Sequence, residues 1–189
     1  MTHPPKLIIL DRDGVINKDS DQFIKSPDEF VPLPGAIDAI ARLNQVGYRV
    51  VVATNQSGIG RGLFDMATLA AINDKMVEMV FRQGGRIDAV FFCPHTADDK
   101  CRCRKPATGM FEDIAARFRV DLKGVPTIGD ALRDLQAGAA VGCEPVLVLT
   151  GKGRKTEKAG GLPAGTRVFA DLPDAVHALT TESAGRTST

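Results

Sequence analysis

Short apolar runs alternate with amphipathic stretches along most of the chain. Lys6–Leu10 is continuously apolar after its lysine, the pattern of a strand buried on both faces. Pro34 and Gly35 precede a helix predicted over Ala36–Gln45, which Gly47 ends. Arg49–Thr54 is a second unbroken apolar run. Asp65 is placed to cap a helix over Met66–Gln83, whose Leu69, Ile72, Met76, Met79 and Val80 share one face before Gly84-Gly85 stops it. Ala89–Phe92, Val125–Ile128, Pro145–Leu149 and Arg167–Ala170 read as further strands. Helices are predicted over Gly109–Phe118, Leu132–Val141 and Pro173–Thr180, and the small polar residues 182–189 as a disordered tail. Strand and helix in alternation, with apolar strands, predict an α/β fold with a doubly wound, mostly parallel, Rossmann-like sheet.

Composition narrows this picture without changing it. The chain has 189 residues, 43% hydrophobic and 25% charged, which suits a single globular domain over 1–189. A formal net charge of +1 argues against a protein that works by bulk attraction to nucleic acid or to an acidic membrane. No apolar run approaches the roughly 18 residues of a membrane span, and the N-terminal segment lacks the basic-then-apolar pattern of a secretory signal. The expectation is a cytoplasmic monomer whose partner is a small molecule. A disulfide framework is a poor explanation for the 4 cysteines in such a compartment.

In parallel sheets of this kind, ligands bind beyond the carboxyl ends of the strands. The first strand runs into Asp11-Arg12-Asp13-Gly14, the second into Thr54-Asn55-Gln56-Ser57-Gly58, and the fourth into Gly129-Asp130 with Asp134 beyond. Cys103-Arg104-Lys105-Pro106 sets cations ahead of a helix. Each alone is also an ordinary turn or helix cap. Cys93, His95, Cys101 and Cys103 form two close pairs joined by a short loop. Three thiolates and an imidazole at that spacing fit a closed, tetrahedral, structural Zn²⁺ site, with buried free thiols as the alternative. Cys143 stands apart and reads as a small core residue.

Taken in order, the four strand-end segments resemble the motifs of the haloacid-dehalogenase-like (HAD-like) phosphohydrolases, over about Leu7 to Thr150. The resemblance implies that Asp11 is a nucleophile forming an aspartyl-phosphate, and that Asp13 is the general acid and base. It implies Mg²⁺ held by Asp11, the backbone carbonyl of Asp13 and Asp130. Thr54 would hydrogen-bond a phosphoryl oxygen and Lys105 would neutralise its charge. Asp134 stands equally as a supporter of the metal site and as a plain first-turn residue.

The intervals between motifs leave no room for a cap domain, so an open site walled by the zinc-clamped loop and the Asp19–Val31 loop is expected. Capless members with this cysteine loop are similar to two bacterial groups, the D-glycero-D-manno-heptose 1,7-bisphosphate 7-phosphatases and the histidinol-phosphatases. Ser57 favours the first group, since the second tends to carry Asp there. On that resemblance Asp19, Ser20, Asp21, Gln22, Asn55, Gln56, Ser57, Arg61 and Arg104 would contact substrate. Gln22 departs from an aromatic residue often found in that place, and Ala131 from a lysine. Thr150-Gly151-Lys152 also resembles the first group, and the basic run Lys152–Lys155 reads as a solvated loop, with attraction of a distal phosphate as the alternative. A zinc-stabilised binding module without catalysis is the reading from another class.

Overall fold

The computed structural model describes residues 6–185, with side chains through residue 182. Six strands, β1 (Lys6–Leu10), β2 (Tyr48–Asn55), β3 (Ala89–Cys93), β4 (Pro126–Gly129), β5 (Glu144–Val148) and β6 (Arg167–Phe169), form one sheet in the order β3-β2-β1-β4-β5-β6. Every pairing is parallel. The helices are α1 (Ala36–Gln45), α2 (Met66–Arg82), α3 (Gly109–Phe118), α4 (Leu132–Ala140), α5 (Gly153–Ala159) and α6 (Leu172–Gly185), with a 3-10 turn at Pro27–Glu29.

Period-two side-chain alternation divides each buried strand between two cores. Ile8 and Leu10 of β1, with Val50 and Val52 of β2, pack under Ile37, Ile40 and Leu43 of α1, Ile72 and Met76 of α2, and Val176 of α6. Leu7 and Ile9, with Val51 and Ala53, face Phe111 and Ile114 of α3 and Ala137 of α4. Both faces are therefore covered, which is why these strands carry no polar alternation. The order reverses between β1 and β4, and the resulting switch point opens a crevice at their carboxyl ends.

Two stretches differ from expectation. The Lys152–Lys155 run is not a loop: Gly153–Ala159 forms α5. Only Gly153 of that helix is buried, so no apolar periodicity marks it in the sequence. The closing helix does not stop at Thr180 but runs to Gly185, so the tail predicted from residue 182 begins within α6; residues 186–189 lie outside the described residues. No breaker precedes Gly185, Thr180 is buried, and Glu182 accepts two hydrogen bonds from Arg167. The remaining boundaries differ by a residue or two, where strand and helix ends ordinarily fray.

Ile40→Ala, at a fully buried position of α1, is expected to destabilise the fold by about 2–5 kcal/mol. Val77→Ala on the outer face of α2 should change stability by no more than about 0.5 kcal/mol. Urea unfolding of the two variants checks the assignment of the packed faces.

Candidate active site

Asp11 is the first residue past β1, yet its N–H still donates to Ile128 O at 2.9 Å, so the sheet ladder fixes its backbone. Lys105 Nζ lies 3.1 Å from its Oδ1, 2.8 Å from Asp134 Oδ1 and 2.7 Å from Ala53 O, with all three side chains buried. Asn55 holds Lys105 in place through its peptide, donating to Lys105 O and accepting from Lys105 N, both at 3.1 Å. Asn55 is thereby committed at both ends of its amide. The residue expected to contact substrate thus borders the cavity with its amide engaged by the Lys105 peptide.

Asp13 turns its carboxylate the other way. It accepts from the fully buried Arg12 at 3.0–3.1 Å, from Asn17 Nδ2 at 2.8 Å and from Gln56 Nε2 at 2.8 Å. Gln56 also donates to Thr54 Oγ1 at 2.9 Å, so one amide spans the proposed acid and the proposed phosphoryl ligand. Arg12 and Asn17 are residues that sequence reasoning missed. The available signal was an arginine locked between two aspartates in a segment otherwise apolar on both sides.

Asp11, Asp130 and Asp134 bring carboxylate oxygens within 4.8 Å of one another. Burial pushes Asp11 up to about 6, and repulsion from Asp134 adds to this against the pull of Lys105. Burial, then repulsion from Asp11 and Asp134, pushes Asp130 up to about 8. Gly14 (φ 83°) and Gly151 (φ 53°) press their backbones on this cluster: a Cβ on either would stand 2.0 or 2.2 Å from Asp130 Oδ2. Crowded hard oxygens, charged against the burial that opposes it, fit a divalent oxygen-loving cation such as Mg²⁺. Asp134 is a different case. Its Oδ1 is paired with Lys105 and its Oδ2 accepts from Ala131 N at 3.0 Å, so its charge is spent within the protein.

The cavity above these groups holds about 240 Å³ and is lined mostly by polar atoms. Asp11, Asp13, Thr54, Asn55, Gln56, Ser57, Arg61, Arg104, Lys105 and Asp130 all border it, as do Asp19 and Ser20. Asp21 and Gln22 do not line it, and Asp21 is 91% exposed. Phe23 and Ile24 take their place. Phe23 holds a left-handed φ of 63°, uncommon for a bulky side chain, and Arg61 lies over its ring at 6.0 Å. The aromatic side chain absent at Gln22 is thus supplied one position later. Lys152 also borders the cavity: its Nζ lies 3.2 Å from Asp19 and its N–H donates to Asp130 Oδ2 at 2.8 Å. Thr150, just before it, donates its hydroxyl to Gly14 O at 2.6 Å. Both stand at the carboxyl end of the fifth strand, where such sheets bind ligands. Arg133, in the first turn of α4, is a further lining residue that the sequence reading passed over.

Cys93, His95, Cys101 and Cys103 converge. Their S···S and S···N separations are 3.2–3.6 Å, and no pair is a disulfide. A tetrahedron of Zn–S bonds of about 2.3 Å has edges of about 3.8 Å, so the donor set fits zinc after slight expansion. Burial, then a hydrogen bond with Cys103, pushes the Cys93 thiol up to about 12. Cys101 is held at about 7, against burial, by hydrogen bonds that begin with the Arg104 backbone. The loop is stitched to the catalytic edge: Gln56 N donates to Cys93 O at 2.7 Å and Gly60 N to Pro94 O at 2.9 Å. Cys143 is buried on the α3 face of the sheet, away from the cluster.

A HAD-hydrolase-like family model matches residues 102–175. A D-glycero-β-D-manno-heptose-1,7-bisphosphate 7-phosphatase of Bordetella bronchiseptica is 61% identical over 178 residues, spanning 94% of this chain and 99% of that one. The chain belongs to the heptose-bisphosphate phosphatase family. The Pseudomonas aeruginosa member is 52% identical over 173 residues, 92% of this chain and 97% of that one. The crystal structure of the B. bronchiseptica heptose-bisphosphate phosphatase, complexed with magnesium and phosphate, superposes with a TM-score of 0.92 at 62% identity over 94% of this chain and 99% of that chain. The Burkholderia thailandensis structure gives 0.75 at 57%, over 92% and 97%. The chain is accordingly a phosphoric monoester hydrolase, and the histidinol-phosphatase alternative is not favoured.

The raised carboxylates set a pH dependence whose sign is definite. Folding disfavours their charged forms, so the penalty is absent below about pH 3.8, the ordinary value, and grows as pH rises through about 6 and about 8. Without added Mg²⁺, Asp130→Asn should therefore melt above the parent at pH 8, with the gap closing toward pH 5. Added Mg²⁺ should raise the melting temperature of the parent far more than that of the variant. Thermal melts at the two pH values decide it, and a variant less stable than the parent at pH 8 would count against the repulsion.

Proposed function

We propose that this protein removes the 7-phosphate of D-glycero-β-D-manno-heptose 1,7-bisphosphate through an aspartyl-phosphate on Asp11, a step toward the heptose precursor of lipopolysaccharide. The observation that carries this reading is the buried Asp11–Lys105–Asp134 arrangement at the switch point, beside an independently held Asp13, in a chain so similar to enzymes of that name. The β anomer is taken from the names of those relatives.

Asp11 presents its carboxylate to the cavity with its backbone pinned to β4, so attack on phosphorus needs little reorganisation. Lys105 stands against the same oxygen cluster and offers its remaining charge to the transferring group. Thr54 Oγ1 accepts from Gln56, which leaves its own proton free for a phosphoryl oxygen. Asp13 delivers a proton to the leaving alkoxide, then accepts one from the water that hydrolyses the aspartyl-phosphate. Mg²⁺, held by Asp11, Asp130 and the backbone carbonyl of Asp13, would screen the repulsion between carboxylate and phosphate. Zn²⁺ on the four soft ligands would fix the loop carrying Arg104 and Lys105. Thiols gathered with a histidine for a metal site suit a reducing cytoplasm.

Three measurements test this reading. With Mg²⁺ saturating, kcat/KM should be highest on the β-bisphosphate, lower on the α anomer and lower still on histidinol phosphate; a preference for histidinol phosphate overturns the substrate. Asp11→Asn should lose at least about 10³-fold in turnover without loss of folding; retained turnover overturns the nucleophile. Metal analysis after dialysis should find one zinc per chain, and removing it should lower the melting temperature and raise KM, because Arg104 and the Gln56 amide are tied to that loop.

A further inference from the structure

The cavity holds five cations, and four of them are engaged or lie at its rim. Lys105 is saturated by Asp11, Asp134 and Ala53 O. Lys152 is paired with Asp19, and with Asp21 at 3.7 Å. Arg104 donates to His95 O at 3.2 Å. Arg61 is exposed and leans on Phe23.

Arg133 differs from all of these. Its Nε is enclosed by protein and has no hydrogen-bond partner. Its nearest carboxylate oxygen, Asp134 Oδ1, is 4.0 Å away and already taken by Lys105 at 2.8 Å. Burial opposes its charge, but Asp134, Asp11, Asp130 and Asp19, in that order, favour it and outweigh the burial. Its side chain borders the cavity, 40% exposed, and its guanidinium donates no hydrogen bond to the protein. An enclosed guanidinium N–H without an acceptor is costly, and such groups are rare unless a ligand completes them. The terminal nitrogens, open to the cavity and without a protein acceptor, suit a group that reaches them from the cavity, carries negative charge and has oxygens spaced for a planar fork. A phosphate dianion meets all three requirements.

We propose that Arg133 binds the phosphoryl group that reacts at Asp11. The argument rests on the phosphatase chemistry and not on which sugar carries the phosphate. Arg133 lines the same small cavity as Asp11 and Asp130, whose charges act on its own, which favours the transferring phosphate over a distal one. Arg133 would thus supply the positive charge that Lys105, spent on two carboxylates, gives only in part.

The test uses inorganic phosphate as a competitive inhibitor, a small aromatic phosphomonoester and the heptose bisphosphate as substrates, all at saturating Mg²⁺. For Arg133→Gln the inhibition constant of inorganic phosphate should rise about 10- to 100-fold, the range for losing a charge-assisted hydrogen bond. kcat/KM should fall by a similar factor on both substrates, at a melting temperature close to the parent's. Arg133→Lys should recover part of both losses. A lower melting temperature with phosphate inhibition unchanged would make Arg133 structural and overturn the proposal. A loss confined to the bisphosphate, with inhibition and the aromatic ester unaffected, would place Arg133 on the distal phosphate and overturn the assignment to the reacting group. Should Arg133→Gln fail to fold, Arg133→Lys carries the same comparison: a smaller rise in the inhibition constant supports the proposal and no rise overturns it. Because inorganic phosphate and the aromatic ester are independent of the sugar, a wrong sugar substrate would show in the parent enzyme alone and leave this comparison standing.

Discussion

Lys105 Nζ sits out of water between Asp11, Asp134 and the carbonyl of Ala53, and the catalytic edge is organised around that contact. A buried ammonium is tolerable only when its charge and its protons are all matched. Here matching them draws together a residue after β1, a carbonyl of β2, a loop after β3 and a helix after β4. The match is also deliberately incomplete in charge. Lys105 and, from farther off, Arg133 face three mutually close carboxylates, and the surplus negative charge adds to burial in raising Asp11 and Asp130. A fold that balanced this cluster internally would have no affinity left for a divalent cation.

The doubly wound sheet was legible in the sequence because its strands are buried on both faces, so Ile8-Ile9-Leu10 and Val50-Val51-Val52 carry no polar interruption. Polar residues that follow such runs are conspicuous, and the Asp11, Thr54 and Asp130 segments were found for that reason. What stayed hidden has a physical pattern of its own. α5 has almost no buried face, so hydrophobic spacing could not announce it. Asn55 and Gln56 were correctly placed at the cavity, but their amides turn to protein partners, a choice of rotamer that residue type does not encode. Phe23 reaches the cavity through a left-handed backbone, which displaces the side-chain pattern by one position relative to Gln22. Arg133 escaped because a cation in a helical first turn opposes the ordinary dipole preference and reads as solvated surface.

The cysteine loop is more than a distant clamp. The peptide carbonyls of Cys93 and Pro94 accept from Gln56 and Gly60, so the loop after β2 is laid against the loop after β3. A Cβ on Gly60 would stand 2.8 Å from Pro94 O, which makes the glycine a condition of that contact. With no cap to close over substrate, walls of this kind must already be rigid when substrate arrives, and a metal on the four ligands would rigidify a polar loop too short to bury a core of its own.

The hydroxyl of Thr150 reaches back to the carbonyl of Gly14, 136 residues earlier. Asn55 and Lys105 clasp across 50 residues. Contacts of such sequence separation incur their loop-closure entropy before they return any stabilisation. The site consequently has no local precursor. Asp11 stands near one end of this sequence, whereas Asp130 and the Gly151 backbone that shapes its surroundings lie far along it. Assembly of the site therefore waits on contacts between distant parts of the chain, and no single short segment holds the cluster by itself.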